Sequence, residues 1–376
     1  MTVSGRLENH QRYGTALVSL GLAPVRLRRL LDGFGPAQAW AALMAGRHPA
    51  DPTRTLMARA RATRVDCVEA GCARAGVGVH VLGRPDYPAS LGSDPEAPGV
   101  LFSLGDPGCF DTRPRVAVVG TRSATPYGLG MAAELGRALA GAGVVVVSGL
   151  APGIDSAAHA GALGPGAAAP AVGVVGVALD TAVPKAEAQL RGAVEAGGIV
   201  LSERAPGMGA APPWCLVARA RIMAALAHVV VVVESHHRGG SMHTVKAASD
   251  RGVPVAAVPG SVRSSASRGT NALLVEGAAP VRDVTDVLAL VELAVAGRPE
   301  IAPPTEAARR VAPPTNAPNA MSAAARRTLD ALDQDPASLD TVVRRCGLTL
   351  GEVSEALEEL SATGAVGASV GRWWRR

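Results

Sequence analysis

The sequence predicts a doubly wound α/β fold, in which helices alternate with the strands of a largely parallel sheet. Two short β-branched runs, at residues 116–119 and 144–147, each end at small polar residues, as strands do at the carboxyl edge of such a sheet. Apolar runs continue to alternate with amphipathic stretches up to residue 258. This alternation predicts right-handed crossovers, with the loops that follow the strands gathered at one edge.

Length and composition limit the possible number of domains, the expected cellular location and the expected cysteine chemistry. With 376 residues, of which 48% are hydrophobic, the chain is long enough for two or three domains and a well-buried core. The chain has no apolar run long enough to cross a bilayer and no apolar signal core near its start, so we expect a soluble cytoplasmic protein. The five cysteines are odd in number and not spaced as metal pairs, which indicates neither disulfides nor a metal site.

The positive charge is carried almost entirely by arginine. The net charge is +5, and Lys185 and Lys246 are the only lysines. Arginine suits bidentate contacts to phosphate, so a polyanionic partner is compatible with this charge. An arginine-rich and alanine-rich composition is also typical of a GC-rich genome, so composition leaves the question open.

The N-terminal region is predicted to be helical. Three short amphipathic patterns within residues 15–46 are separated by Gly21, Gly33 and Gly35, as expected of helices that end in glycine caps. Such helix and glycine-turn arrangements bind DNA backbones or dock other proteins, and both alternatives remain open. A further helix is predicted at 54–75, followed by an extended, proline-rich connection to the first main strand.

The rest of the sheet and a C-terminal unit follow in order. Predicted strands lie at 171–179, 199–203, 229–234 and 253–258, and predicted helices at 184–197, 212–227, 244–251 and 283–295. A stretch rich in proline and alanine then predicts a linker. Beyond it, helical patterns at 325–334, 338–347 and 349–363 and a terminal hairpin indicate a winged helix.

The glycines that follow the first strand do not form a dinucleotide site. The segment 128–133 fits G-x-G-x-x-A, but the strand ends near Val119 and these glycines fall inside the next helix. The position of the ribose-binding acid is occupied by Ser148, and the chain has no Walker-type loop. We therefore expect no dinucleotide cofactor, and no other cofactor is indicated.

The predicted sheet edge instead favours a phosphate-bearing ligand. Backbone N–H groups at helix N-termini and arginine side chains both bind phosphate oxygens. The alternative is that glycine and serine merely form tight turns between strands and helices. The hydroxyl and guanidinium side chains predicted at this edge are Thr121, Ser123, Ser148, Ser241, Ser264, Ser265, Arg122, Arg238, Arg263 and Arg268.

Several motifs, in order, resemble the DNA-processing protein family called DprA or Smf. They include VAVVGTR, SGLAPGIDSAAH, LSE, GGSMHT, AVPG and SRGTNALLVEGA, preceded by DYPASL and VLFSLGD. The resemblance covers nearly the whole chain. It implies a SAM-like or helix-hairpin-helix-like module at 1–76, an extended Rossmann-like domain at 77–297, a linker at 298–320 and a winged helix at 321–376.

The resemblance also implies a function. Members of this family bind single-stranded DNA, dimerise and load the RecA recombinase onto incoming strands in natural transformation, and they are not known as enzymes. Carried over position by position, the resemblance assigns DNA phosphate binding to Gly120, Thr121, Arg122, Ser148, Gly149, Arg219, Arg221, Arg238, Gly240 and Ser241.

The chain departs from the family pattern on one predicted helix. Leu216 stands where the family has an aromatic residue, and Ala220 stands between two arginines where the family has asparagine. Loss of the stacking ring predicts binding weaker by about 10-fold to 100-fold. Trp214 could replace the ring, although a half-buried core position is the favoured interpretation. The chain is therefore interpreted as a diverged family member.

Two alternative functions remain open, and the roles expected of several titratable residues bear on the first of them. Asp155 is predicted to cap its helix and His159 to pack in the core, while His236, His237 and His243 are interpreted as loop histidines. An N-glycosidic hydrolase of the same superfamily would need a carboxylate at the sheet edge, for which Glu203 and Glu234 are the candidates. An inactive paralogue that acts through protein contacts is the other alternative.

The third helix of the predicted winged helix is acidic. It carries Glu352, Glu355, Glu358 and Glu359 and no arginine, which makes it a poor reader of the DNA major groove. We therefore expect this unit to dock another protein.

Overall fold

The computed structural model describes residues 7–296, 322–333, 336–362, 365–369 and 372–375. These residues form two compact units. The larger contains the described residues up to 123 and from 132 to 296, and the smaller contains residues 124–131 and the C-terminal region. The predicted linker at 298–320 lies outside the described residues.

The larger unit begins with five helices. They are α1 (Asn9–Val18), α2 (Pro24–Leu31), α3 (Pro36–Met44), α4 (Thr55–Ala62) and α5 (Val65–Ala75). The single helix predicted at 54–75 is in fact two, because the backbones of Thr63 and Arg64 are extended and break it. No glycine or proline marks this break in the sequence.

A nine-stranded sheet follows. Its strands are β1 (Gly78–Val81), β2 (Val100–Leu104), β3 (Arg115–Val119), β4 (Val145–Ser148), β5 (Ala171–Val175), β6 (Gly198–Ser202), β7 (Val229–Val232), β8 (Val255–Ala257) and β9 (Ala279–Pro280). Their order is β1-β2-β6-β5-β4-β3-β7-β8-β9, and all pairings from β6 to β9 are parallel. The predicted doubly wound α/β fold is confirmed.

The connection before the first main strand adds two strands that the sequence did not predict. β2 pairs antiparallel with β6, and β1 pairs antiparallel with β2. Two reversals restore the original direction, so the end of β1 lies at the same edge of the sheet as the carboxyl ends of the parallel strands.

The helices of the sheet region are α6 (Ala89–Gly92), α7 (Pro126–Gly141), α8 (Ile154–Ala162), α9 (Lys185–Gly197), α10 (Pro213–Leu226), α11 (Met242–Ser249), α12 (Arg268–Val275) and α13 (Val284–Val295). The strand predicted at 171–179 stops at Val175. A Cβ on the next residue, Gly176, would lie 2.8 Å from the carbonyl oxygen of Cys215, so the chain must leave the sheet there to pass closely under α10.

Apolar side chains cover both faces of the sheet. β3, β4, β5 and β7 are buried along their whole length, as expected of parallel strands with helices on each side. One core joins β3, β5 and β7 to α10 and α11. The other joins α1–α4 to β1, β2, β5 and β6, so the N-terminal helices share their core with the sheet.

The C-terminal residues form a winged helix. Three helices, α14 (Ala323–Asp330), α15 (Leu339–Cys346) and α16 (Leu350–Ala362), enclose their own apolar core. Strands β10 (Ala337–Ser338), β11 (Val366–Ser369) and β12 (Arg372–Arg375) pair antiparallel in the order β10-β12-β11. The three predicted helices and the hairpin are confirmed, although Thr363, the last predicted residue of the third helix, lies outside the described residues.

Among the residues that the structure describes, no helix combines the length and the apolar character that a membrane span requires.

Candidate functional site

Three loops meet at the carboxyl edge of β4, β3 and β7, which are neighbours in the sheet. The amide of Thr121, after β3, donates to the carbonyl oxygen of Glu234, after β7, at 2.7 Å. The amide of Ile154 in turn donates to the carbonyl oxygen of Thr121 at 3.2 Å. A Cβ on Gly120 would lie 2.7 Å from the same Glu234 oxygen. The predicted meeting of these loops at one edge of the sheet is confirmed, and their close contact requires glycine at position 120.

The carboxylate of Asp155 lies at the centre of these loops. It is buried, and the backbone amides of Gly120, Gly149 and Ala151 lie close enough to stabilise its charged form. Burial raises the pKa of this carboxyl above its usual range, while the guanidinium of Arg219 and the three amides oppose that shift. The expected role as a helix cap is therefore wrong: Asp155 is the second residue of α8, after the N-cap Gly153, and its carboxylate faces the loop after β3 and the loop that leads into its own helix.

This arrangement changes the interpretation of Gly120 and Gly149. The sequence predicted that their amides bind phosphate, but both lie near the Asp155 carboxylate and stabilise its negative charge. An internal anion therefore lies beside the amides that were expected to face a phosphate.

Arg219 completes this buried cluster. Its guanidinium donates to the carbonyl oxygens of Gly149 and, at 3.4 Å, Val174, and lies 3.7 Å from Asp155 Oδ2. A Cβ on Gly149 would lie 2.6 Å from that Oδ2 and 2.7 Å from Arg219 Cζ. Burial lowers the pKa of Arg219, opposed by Asp155. Arg219 therefore holds a loop in place, whereas the sequence predicted a contact with DNA.

Arg221 is also engaged within the protein. Its two terminal nitrogens donate to both carboxylate oxygens of Glu203, at 2.8 Å for the Nη1 to Oε2 bond. Both side chains are mostly buried, and burial raises the pKa of Glu203. The two arginines serve different partners because residues two apart on a helix face different directions.

The predicted hydroxyls likewise bond within the protein. Ser148 is fully buried and donates from Oγ to the carbonyl oxygen of Val118 at 2.6 Å. Ser241 is buried and donates to Ser235 Oγ at 2.8 Å. The hydroxyl of Thr121 accepts from the amide of Ser123 at 3.2 Å. These side chains connect the loops to each other and to the strand ends.

Four exposed arginines lie outside this buried cluster. We call Arg122, Arg238, Arg263 and Arg268 the arginine rim. They follow β3, β7 and β8, which are adjacent in the sheet, and all four are exposed. Gly240 is exposed in the same loop as Arg238. The rim presents four positive charges to solvent along one edge of the sheet.

Trp214 is exposed beside the same edge. It lies in the first turn of α10, and 41% of its surface is accessible. The favoured half-buried position is therefore confirmed in part: more than half of its surface is covered, but it belongs to neither apolar core of the described residues. Leu216, at the position of the missing family aromatic, is equally exposed, whereas Ala220, at the position of the missing asparagine, is buried. The structure thus offers an aromatic surface two residues before the position where the family motif has one.

The structure also shows where the histidines and the glutamate that the sequence singled out lie. His159 packs in the core as predicted, with Nε2 donating to the carbonyl oxygen of Val172 at 3.1 Å. His236, His237 and His243 are exposed. In the described part of the chain, no group of three or more His, Cys, Asp or Glu side chains is placed to hold a metal ion. Glu234 is buried.

The larger unit and the C-terminal unit together define a class of protein: a Rossmann-like α/β protein with a basic sheet edge and a winged helix. The family model "DNA recombination-mediator protein A" matches residues 78–292, and the model "DprA winged helix domain" matches residues 312–371. The chain belongs to the DNA recombination-mediator protein A family.

Named relatives agree with this assignment. The chain is 36% identical over 283 residues to a putative DNA processing protein DprA of Mycobacterium tuberculosis, which covers 74% of this chain and 68% of that protein. It is similar to the X-ray structure of DNA processing protein A from Streptococcus pneumoniae, with a TM-score of 0.65, 30% identity and coverage of 76% of this chain and 98% of that one.

The chain is also similar to a solved structure of DNA processing protein A from Helicobacter pylori. That structure is described as giving insight into the single-stranded DNA binding mode of the Helicobacter pylori protein. It has a TM-score of 0.50 and 28% identity, and the match covers 56% of this chain and 93% of that one.

Proposed function

We propose that this protein binds single-stranded DNA along the carboxyl edge of its sheet and acts as a recombination mediator in natural transformation. The observation that carries the proposal is the arginine rim, four exposed guanidiniums on the loops of three adjacent strands. Guanidinium groups bind phosphates strongly and bidentately. The single-stranded DNA binding mode described for the Helicobacter pylori relative supports the same ligand.

Binding on this surface divides between two kinds of contact. The arginine rim contacts phosphates, and Trp214 offers a ring on which a base can stack. The buried cluster of Asp155, Arg219 and the two glycine loops supports these contacts by fixing the backbone beneath them. Gly240 and Arg238 belong to the exposed part of the site.

We also propose that the protein delivers the strand to a RecA-type recombinase as a homodimer and does not act as an enzyme. The carboxylates that a hydrolase would use are engaged or buried. Glu203 is held by both terminal nitrogens of Arg221, and Glu234, in the loop after β7, is buried. We further propose that the N-terminal helical module ends at residue 76, the Rossmann-like domain at residue 297 and the linker at residue 320.

The first prediction concerns the arginine rim. Arg122→Ala removes one exposed guanidinium, so we expect at least fivefold weaker binding of oligo-dT and a salt dependence shallower by about 0.7 in logarithmic slope. The measurement is a fluorescence anisotropy titration at several salt concentrations.

Arg137→Ala is the matched control, since Arg137 is exposed near the opposite end of α7. Its affinity should stay within twofold of the unmodified protein. Unchanged binding by Arg122→Ala, or equal preference for duplex DNA, would contradict the proposal.

The second prediction concerns the winged helix, for which we propose protein docking. Its acidic helix α16 repels DNA phosphates, and its helices have their own core. Deletion of residues 321–376 should leave oligo-dT affinity within twofold of the full chain. A loss of tenfold or more would instead place DNA contacts on this unit.

A further inference from the structure

A basic groove of about 580 Å³ lies beside the N-terminal helices. It is lined by α2, by the turn between α2 and α3, and by the residues at the end of β1. Because β1 runs in the same direction as the parallel strands, the residues at its end that line the groove lie at the edge of the sheet that carries the arginine rim. None of the residues that line it belongs to the predicted site.

The groove is positively charged. Arg28, Arg29 and Arg84 line it, opposed by the single carboxylate of Asp32. Arg29 and Arg84 are exposed, and in the described ranges no ion pair engages either of them. Arg28 donates to the carbonyl oxygen of Ala97 at 3.2 Å, which fixes it against the wall. The groove therefore attracts an anion.

One wall of the groove is aromatic and held in place. Phe34 packs on the buried ring of His48, with ring centroids 4.8 Å apart. His48 Nε2 donates to the carbonyl oxygen of Leu30 at 3.0 Å, and Nδ1 accepts from the amide of Ala50 at 3.1 Å. The histidine is therefore fixed at both nitrogens, and it fixes the phenylalanine.

The side chains of α2 pack tightly against the backbone just before β2 in the wall of the groove. A Cβ on Gly99, just before β2, would lie 2.7 Å from Leu31 Cδ1. This close approach brings the arginines of α2 beside the end of β1. The walls thus have their shape before any ligand arrives, as is usual for small-molecule sites of this size.

We propose that this groove is a second nucleotide-binding site, which takes one nucleotide unit of the bound single strand. Its phosphate lies between Arg29 and Arg84, and its base packs against Phe34. A simple anion would make no favourable contact with the aromatic wall, and an apolar ligand would make none with the three guanidiniums. A nucleotide can contact both, because its base is aromatic and its phosphate is negatively charged. The proposal rests on the proposed function, because it needs a strand along this edge.

The distance between the two sites suits one continuous strand. β1 is five strand positions from β3 in the sheet, which corresponds to about 24 Å. Single-strand binding folds cover roughly 4 to 16 nucleotides. A strand that begins at the arginine rim can therefore pass Trp214 and end in the groove.

The direct test is photocrosslinking of the full chain to an oligo-dT of about 16 nucleotides that carries 5-iodo-deoxyuridine. Peptide mapping should find a crosslink at Phe34 in addition to any at the arginine rim. Crosslinks at the rim alone overturn the inference. Crosslinking of Phe34 by 5-iodo-deoxyuridine monophosphate but not by the oligonucleotide also overturns it, because the groove would then serve free nucleotides.

Substitutions provide a second readout. Arg29→Gln and Arg84→Gln should each weaken oligo-dT binding three- to tenfold and lower the salt slope by about 0.7. Arg26→Gln is the matched control, because Arg26 is an exposed arginine on the same helix that does not line the groove, and it should change affinity less than twofold. Phe34→Leu keeps an apolar side chain but removes the ring, so the Phe34 crosslink disappears and affinity falls at least threefold.

The outcomes separate the two proposals. If Arg122→Ala weakens binding while Arg29→Gln and Arg84→Gln do not, the strand follows the rim but not the groove, and only the inference fails. If oligo-dT does not bind the unmodified protein at all, the proposed function itself fails.

Discussion

Two sets of polar side chains lie at the same edge of the sheet, and they differ in their partners. The inner set, Asp155, Arg219 and Ser148, is buried and bonded to backbone groups of neighbouring loops. The outer set consists of the exposed arginine rim and Trp214. Both sets lie beside glycine-rich loops. The comparison shows that glycine, serine and arginine at a strand end can build a site or can build the support beneath it.

The largest expected effect comes from the inner set. Asp155→Ala leaves the guanidinium of Arg219 buried without its carboxylate and removes the negative charge that three nearby backbone amides stabilise. We expect the free energy of unfolding to fall by about 3 to 5 kcal/mol, measured by chemical denaturation. A loss below about 1 kcal/mol would show that the inner cluster is not a support and would remove the distinction between the two sets.

The next effect is a pH dependence of stability beneath the same loops. Burial lowers the pKa of His159 to about 4, below the usual 6.5, and within the described residues its Nδ1 has no hydrogen-bond partner. The unfolded chain therefore binds a proton more readily than the folded protein. The stability that the neutral ring contributes is complete above pH 6.5 and is lost as the pH falls towards 4, by about 3 kcal/mol.

Replacement of this histidine isolates its contribution. The variant His159→Leu should show an unfolding free energy that depends less on pH between 6.5 and 4, by that amount, in denaturation series at each pH. Arginine stays charged over this range, so variants of the arginine rim should keep the full pH dependence. An equal dependence in His159→Leu would assign the effect to other groups.

The smallest expected change in stability comes from the outer set, where the effect is on binding. Trp214→Ala removes a partly exposed ring, and we expect oligo-dT affinity to fall by about 1 to 3 kcal/mol while the free energy of unfolding falls by only about 1 kcal/mol. Leu216→Ala, equally exposed on the same helix, is the control and should leave affinity unchanged. A large stability loss for Trp214→Ala would return this residue to the core.

Much of the fold could be predicted from the sequence, because buried parallel strands are continuous β-branched runs. The strands β3, β4 and β7 were predicted close to their observed ends. The strands β1 and β2 were missed because prolines and glycines surround them, and these residues suggested an extended connection. The break between α4 and α5 carries no glycine or proline that would indicate it.

The candidate site was harder to predict than the fold. The meeting of the loops after β4, β3 and β7 follows from strand direction alone. The role of Asp155 does not, because Gly120 lies in the loop after β3, which becomes a neighbour of the loop with Gly149 and Ala151 only in the folded chain. The divergence of Arg219 and Arg221 could have been anticipated, since residues two apart on a helix do not share a face. The exposure of Trp214 depends on how α10 sits on the sheet.

The carboxylate of Asp155 has a consequence for how quickly a partner can bind. Because it holds the loops of Gly120 and Gly149 in shape from within, these loops need no external anion to become ordered. An arriving strand therefore meets a surface that already has its final form, and loop ordering does not oppose its binding. In the proposed site, association is then governed by long-range attraction between the arginine rim and the strand, and we expect the rate of capture to be sensitive to salt and insensitive to loop motion.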